Sequence, residues 1–337
     1  MKLIAGTRGS KLAIAQTDLI CNMLKEKFPN LEIEKKIIKT KGDKILNKAL
    51  DKIGDKGIFV KEIENQLIDG EIDFAVHSLK DMPSEIDGRL KLTKTPNRAD
   101  ARDVLLINPK HKIKDVGYWL KNSKGLKIAT GSKRRIAQLL NINKNIEIVP
   151  IRGNIDTRIE KLVNEDMDAI VLAAAGIERL GILGKNKLYY FKYSDMIPAS
   201  GQGALAIEIR KDNSKLDKIF DEIYEYEAEI EVIAERSFLK KINGGCHIPV
   251  GAISEINGNQ LSLTAIYGDP DYKKVVTGKK KIELEQYNRD NLILDKNNSK
   301  SKIDNEIFKE MVELNFKDAE KIGIELAEEL IKKIGEI

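Results

Sequence analysis

Short continuous apolar blocks alternate with longer stretches in which apolar residues return every three to four positions. Strands therefore alternate with helices along most of the chain. Lys2 to Ala5 predicts a first strand, and Gly6-Thr7-Arg8-Gly9-Ser10 a turn in which Ser10 caps the next helix. That helix runs to about Phe28, where Pro29 stops it, with Leu12, Ala15, Leu19 and Met23 on one face. Ile33 to Lys39 predicts a second strand. The Lys-, Asp- and Gly-rich stretch from Thr40 to Gly57 predicts a mobile loop, and Gly57 opens a helix ending near Gly70, with Phe59 at its start. Ile72 to Val76 is a buried strand that runs into His77-Ser78-Leu79-Lys80-Asp81-Met82-Pro83, which read by itself is a helix start.

Leu90 to Thr95 predicts a strand, and the polar turn Pro96-Asn97-Arg98-Ala99-Asp100 a hinge. Strands follow at 104–107, 127–130, 147–149 and 168–172, with helices opening at Gly131-Ser132, at Arg152-Gly153-Asn154 and at Ala173. Pro198 to Gly203 predicts a second crossing, and Ala204 to Ile209 a strand that returns to the first sheet. From Leu216 the pattern changes. Glu225 to Ile242 is a charged amphipathic helix, Asn243 to Pro249 a glycine-rich loop, Leu261 to Tyr267 a half-buried strand, and Asp318 to Ile334 a closing helix. The Lys/Asn-rich stretch 279–302 shows no assignable pattern.

The repeated strand–turn–helix unit predicts α/β domains with parallel sheets. A chain of 337 residues is too long for one core. The two crossings divide it into a discontinuous first domain (1–96 and 198–213), a second (97–197), and a small α+β third domain (214–337). A cleft that opens and closes is expected between the first two.

Composition narrows the function. No apolar run approaches the roughly 18 residues of a membrane span. The start of the sequence, soon interrupted by Arg8, predicts no signal peptide and hence a cytoplasmic protein. Two cysteines, Cys21 and Cys246, make no disulfide framework. Paired His/Cys spacing for a metal is absent, as is a Gly-rich phosphate loop. The net charge of +5 permits nucleic acid, but aromatics are only 5% and are not interleaved with the basic residues, which argues against a stacking platform. A small acidic ligand fits better. Of 58 basic residues only 12 are Arg, and five of those are Arg134, Arg135, Arg152, Arg158 and Arg179. A chain that otherwise uses Lys has Arg where a planar fork matters, as in carboxylate binding. Three of the five sit where helices begin after strands, places already suited to anions. Cys246, preceded by two glycines, has little apolar cover. As an exposed thiol near that cleft it suits a nucleophile, a redox site or a covalent attachment point.

The segments Thr7-Arg8-Gly9-Ser10-Lys11-Leu12-Ala13, Gly57 to Glu62, His77 to Pro83, Arg134-Arg135, Arg152-Gly153-Asn154 with Thr157-Arg158, Ala175-Gly176 with Arg179-Leu180, Gly201-Gln202-Gly203-Ala204, and Gly244-Gly245-Cys246 with Pro249 and Gly251 resemble, in order, those of the porphobilinogen deaminase (hydroxymethylbilane synthase) family. The resemblance implies two type II periplasmic-binding-like domains with a hinged cleft plus the third domain. It implies a dipyrromethane cofactor attached through a thioether to Cys246, and porphobilinogen as substrate. Four units are then added head to tail with loss of ammonia, and the linear tetrapyrrole is hydrolysed off. It implies Asp81 as the catalytic carboxylate with Lys80 beside it. Arg134, Arg135, Ser132, Lys80 and Asp81 would hold the cofactor, and Arg8, Ser10, Phe59, Arg152, Arg158 and Arg179 the substrate. A monomer without metal or nucleic acid is expected. The chain departs from the family at Gly131, where Ser is usual, at Lys133, where an apolar residue or Pro is usual, and at Gly54-Asp55, where Gly-Gly is usual. Residues 268–317 match no family segment. A non-catalytic anion-binding protein of the same fold would explain the arginines, but not Cys246 or Lys80-Asp81.

Overall fold

The structure is a computed structural model, and it describes residues 1–40, 60–182, 187–243, 248–285 and 300–336, side chains of 300–308 excepted. Strand β1 (Lys2–Arg8) is longer than predicted. It pairs in parallel with β2 (Glu32–Ile38) as far as Arg8 opposite Ile38, so Gly6, Thr7 and Arg8 belong to the strand and not to a turn. Ser10 caps α1 (Lys11–Lys27) as expected, its hydroxyl accepting from the Ala13 N–H at 3.2 Å. Helix α2 (Lys61–Ile68) leads to β3 (Phe74–Ser78), which takes in His77 and Ser78. Only one 3-10 turn, Leu79–Asp81, follows, not an α-helix. With β4 (Leu90–Leu92) and β10 (Leu205–Arg210) these strands form a sheet of order β2-β1-β3-β10-β4.

The second sheet has the order β7-β6-β8-β5-β9, from β5 (Asp103–Ile107), β6 (Lys127–Ala129), β7 (Glu147–Val149), β8 (Ala169–Ala173) and β9 (Leu188–Tyr190). Its helices are α3 (Val116–Asn122), α4 (Lys133–Ile142), α5 (Ile155–Asn164) and α6 (Ala174–Arg179). Neither sheet is wholly parallel. In each, the strand that enters after a crossing runs against its neighbours: β10 against β3 and β4, β5 against β8 and β9. A buried apolar run such as Val104-Leu105-Leu106-Ile107 reads alike in either direction, so only the return of the chain through the hinge sets its sense.

Both sheets are covered on two faces. On the first, α1 packs Ile20 and Leu24 over Ala5, Phe74 and Ile207, while α2 packs Ile63 and Leu67 over Ile72 and Ala75. Cys21 lies in the first of these cores as a small buried residue. After α7 (Ser214–Phe220), the third domain is an antiparallel meander of β11 (Val250–Asn257), β12 (Gln260–Gly268) and β13 (Val275–Glu283). It is covered by α8 (Tyr226–Ile242) and α9 (Lys300–Glu336), both amphipathic. The unassigned Lys-rich stretch thus includes much of β13, an edge strand with alternating half-buried positions and lysines facing out. None of the helices among the described residues is long and apolar enough to cross a membrane.

The three units meet at one buried carboxylate. Glu235 of α8 accepts from both Nη atoms of Arg98, at 2.7 and 3.0 Å, from Gly201 N–H at 2.7 Å and from Ser254 N–H at 2.8 Å. Arg98 lies on the first crossing and Gly201 on the second, so one side chain of the third domain grips both. Arg98 in turn donates Nε to the Gln202 carbonyl at 3.1 Å. Removing one partner of a buried ion pair leaves the other charge uncompensated, at a cost of about 3–5 kcal/mol. Glu235→Ala is therefore expected to lower the melting temperature by several degrees. An unchanged melting curve would show that the crossings are held by other contacts.

Candidate active site

The carboxyl end of the first sheet delivers Lys80 and Asp81. Val76 and His77 are locked opposite Ile207 and Ala206 of β10, and Leu79 N–H donates to Ala204 O at 3.1 Å, so the turn leaves a rigid sheet. Leu79 is buried, Lys80 half-buried and Asp81 exposed. The side chain of Asp81 is thus presented, not packed away.

The second sheet delivers the arginines. Ser132 caps α4, its hydroxyl accepting from the Arg135 N–H, and Arg134 and Arg135 follow in the first turn. Both are buried, at 5% and 6% exposure, and both are committed to Asp103, which is fully buried at the start of β5. Arg134 Nη1 donates to Asp103 Oδ2 at 2.6 Å and to Ile197 O at 2.6 Å. Arg135 donates Nε and Nη2 to Asp103 Oδ1 at 3.0 and 2.6 Å, and Nη1 to Val171 O at 2.8 Å. Burial pushes the Asp103 carboxyl up, but Arg134 and Arg135 together outweigh it and hold it below the usual carboxylate range.

Gln202, on the second crossing, connects the two halves. Its amide nitrogen donates to Asp103 Oδ1 at 3.0 Å and to Ala101 O at 2.8 Å, and its amide oxygen accepts from Lys80 Nζ at 3.3 Å. A chain of contacts thus runs from the arginine helix through the hinge to the residue beside Asp81. Burial lowers the Lys80 ammonium to about 8; Asp81 opposes that shift, Arg135 adds to it, Asp103 opposes it and Arg134 adds to it. The same field reaches Arg158 of α5, which burial and then Arg135 lower to about 10 against the pull of Asp81, with Arg152 acting in the same sense as Arg135. Lys80 is therefore within electrostatic reach of Asp81, Arg134 and Arg135, and Arg158 of Asp81, Arg135 and Arg152.

Arg152 lies in the loop before α5, and Arg158 within α5 is fixed by its Nε bond to Gly153 O at 2.8 Å. Arg179 ends α6; its Nη2 donates to Gly203 O of the second crossing at 2.6 Å, while its buried Nε has no hydrogen-bond partner among the described residues. Burial lowers this guanidinium to about 10, with Glu178 opposing. Arg8, at the end of β1, and Ser10 are half-buried at the same edge of the first sheet. Phe59 and Cys246 lie outside the described residues, as do Gly54-Asp55. The ends of the Cys246 loop are described: Asn243 closes α8 in the left-handed conformation (φ 51°), and Gly251 lies so close to Arg134 that a Cβ there would stand 2.6 Å from its Cδ and 2.3 Å from Pro198 O. Gly251 of β11 thus packs directly against the arginine helix.

These residues fit a polycarboxylate. The cations outnumber the carboxylates, and among the described residues Arg179 Nε is a buried donor without an acceptor and Lys80 has one neutral hydrogen-bond partner, at 3.3 Å. Among the described residues no group of three or more His, Cys, Asp or Glu could hold a metal ion. Lys133, the departure at the cap of α4, reaches the third domain, its Nζ donating to Pro270 O at 3.3 Å and lying 5.1 Å from the Tyr272 ring centroid. Sequence reading missed Asp103, Glu235 and the bridging role of Gln202. The available signal for Asp103 was a single acid heading an otherwise apolar strand, Asp103-Val104-Leu105-Leu106-Ile107, which a buried strand tolerates only with cations waiting.

The sequence model described as "Porphobilinogen deaminase, dipyromethane cofactor binding domain" matches residues 3–218, and "Porphobilinogen deaminase, C-terminal domain" matches 229–291. A curated porphobilinogen deaminase of Clostridium novyi (strain NT) is 44% identical over 336 residues, 99% of this chain and 100% of the relative. One from Clostridioides difficile (strain 630) is 50% identical over 277 residues, 82% of this chain and 90% of the relative. Among solved structures, the second substrate-binding domain of a putative amino acid ABC transporter from Streptococcus pneumoniae is 15% identical, with a TM-score of 0.42, over 66% of this chain and 90% of that one.

The depressed Lys80 has a measurable sign. Its positive charge is present below about pH 8 and is lost as pH rises through that value. In protein lacking cofactor, modification of Lys80 by an amine-directed reagent is expected to reach half its maximal rate near pH 8, where ordinary lysines, with pKa about 10.4, remain protonated. Peptide mapping reads this residue by residue. A Lys80 profile that coincides with those of surface lysines would contradict the half-buried, Gln202-bound position.

Proposed function

The chain belongs to the porphobilinogen deaminase family, and on that premise we propose a division of labour among its cleft residues. The activity is deamination of porphobilinogen in tetrapyrrole biosynthesis. Four porphobilinogen units are joined head to tail with loss of ammonia, on a dipyrromethane held by Cys246 through a thioether, and the linear tetrapyrrole leaves by hydrolysis. When bound, the dipyrromethane supplies an electron-rich pyrrole carbon as the site of chain growth.

The observation that carries this reading is one exposed carboxylate, Asp81, facing a set of half-buried cations. Porphobilinogen has two carboxylates and one aminomethyl group. The carboxylates suit Arg8, Arg152, Arg158 and Arg179 with Ser10, and the ammonium suits Asp81. As the carbon–nitrogen bond breaks, the amine departs as ammonia and positive charge develops on the substrate pyrrole. Asp81 stands ready for both needs: it keeps the leaving amine protonated, and it stabilises the developing charge by an arrangement made in advance. Lys80, with Arg134, Arg135 and Ser132, faces the carboxylates of the cofactor. Phe59 packs on the growing chain. The hinge of residues 97–100 and 198–203 lets the domains 1–96 with 198–213, 97–197 and 214–337 adjust as that chain lengthens. A cytoplasmic monomer belongs to the same reading.

Asp81→Asn keeps size and hydrogen bonding but removes the charge and the proton. Protein shown by mass to carry its adduct is expected to lose at least about a hundredfold in kcat, with KM little changed, because the lost interaction belongs to the transition state. A holo variant that keeps most of its kcat would move the catalytic role elsewhere.

A further inference from the structure

On the far side of the Lys80-Asp81 turn, a cavity of about 260 Å3 lies between the first sheet and α8. Leu79, Leu92, Leu205, Val232 and Ile233 make its apolar wall. Arg236 of α8 lines it and donates Nη2 to Pro83 O at 2.9 Å, two residues beyond Asp81. Among the described residues this is the guanidinium's only hydrogen bond, and it has no carboxylate partner. Arg236 is half-buried, and burial alone lowers its pKa, with no acid opposing it. Two more donors line the cavity without a partner among the described residues: the Ser84 hydroxyl and the Lys240 ammonium. The acids there do not answer them. Glu229 is committed to Thr95 N–H, and Glu320 is exposed at the rim.

A half-buried guanidinium that spends one N–H on a neutral carbonyl has the rest of its planar fork to offer a carboxylate. One part of the wall is apolar, so the complementary molecule has an acidic end and a short hydrophobic body. We propose that this cavity is a second binding site, for a small monocarboxylate with such a body. The acid end engages Arg236 and Ser84, and the body packs on Leu79, Leu92 and Val232. Occupancy is transmitted to the catalytic turn, because Arg236 holds the carbonyl of Pro83 and Leu79 is the first residue of that turn. None of the arginines of α4 and α5 lines this site, so its occupant does not compete with porphobilinogen.

The test is calorimetric titration of cofactor-loaded enzyme with 3-phenylpropionate, hexanoate and inorganic phosphate, together with steady-state kinetics. The organic acids are expected to bind saturably, with a dissociation constant on the order of a millimolar for about ten heavy atoms. Saturating porphobilinogen should leave that constant unchanged, and the bound acid should change kcat with KM constant. Arg236→Gln should weaken binding about tenfold or more, the size of a lost charge-assisted hydrogen bond, and Arg236→Lys should restore part of it. Ser84→Leu, which narrows the cavity and leaves the Arg236–Pro83 contact in place, should weaken binding too, and it decides the matter if Arg236→Gln fails to fold. The proposal is overturned by absence of saturable binding, by displacement with porphobilinogen, by affinity unchanged in a folded variant, or by binding of phosphate alone.

Discussion

A fully buried carboxylate, Asp103, fixes the geometry on which the cleft depends. Taking an ion out of water costs several kcal/mol, which only close, hydrogen-bonded counter-charges offset. Here two guanidinium groups and one amide do so, at 2.6 to 3.0 Å. The consequence is positional. Arg134 and Arg135 cannot swing, Gln202 must turn its N–H groups toward Asp103, and its oxygen is thereby left facing Lys80. Two cations against one anion still leave a net positive charge, before Lys80 is added. The cluster is both a structural anchor and an attractive surface for carboxylates, and its rigidity means that little reorganisation is needed when those carboxylates arrive.

The hinge follows the same logic. Glu235 and Arg98 satisfy one another where the two crossings meet, and Arg236 next to Glu235 donates to Pro83 O, just after the Lys80-Asp81 turn. One stretch of α8 therefore sets both the hinge and the turn, and the same helix leads at its end into the cysteine loop.

Much of this was legible in the sequence. Ser10 and Ser132 stand where caps belong, the arginines follow strands, and the two polar crossings separate runs of alternating pattern. What was not legible has physical causes. Buried strands carry no mark of direction, so β5 and β10 read as parallel. The turn after β3 is a single 3-10 turn because Met82 N–H closes back onto Leu79 O and Pro83 offers no N–H to continue it. Asp103 is one letter in an apolar strand, and its partners lie 31 and 32 residues away. The edge strand β13 hides among lysines because one of its faces is solvated. The resemblance to the family singled out Asp81 and Cys246 as candidates; the structure added the Asp103–Gln202–Lys80 connection, which no local motif encodes.

The central claim is that this cationic cleft serves a polycarboxylate chain built on Cys246. Intact-mass measurement of purified enzyme, before and after addition of porphobilinogen, tests it most directly. The resting protein should carry an adduct equal to two linked pyrrole units, substrate should add further single-unit increments, and Cys246→Ser should carry none while Cys21→Ser matches the unsubstituted chain. Active enzyme with the unmodified mass, or an adduct that persists in Cys246→Ser, would contradict the account.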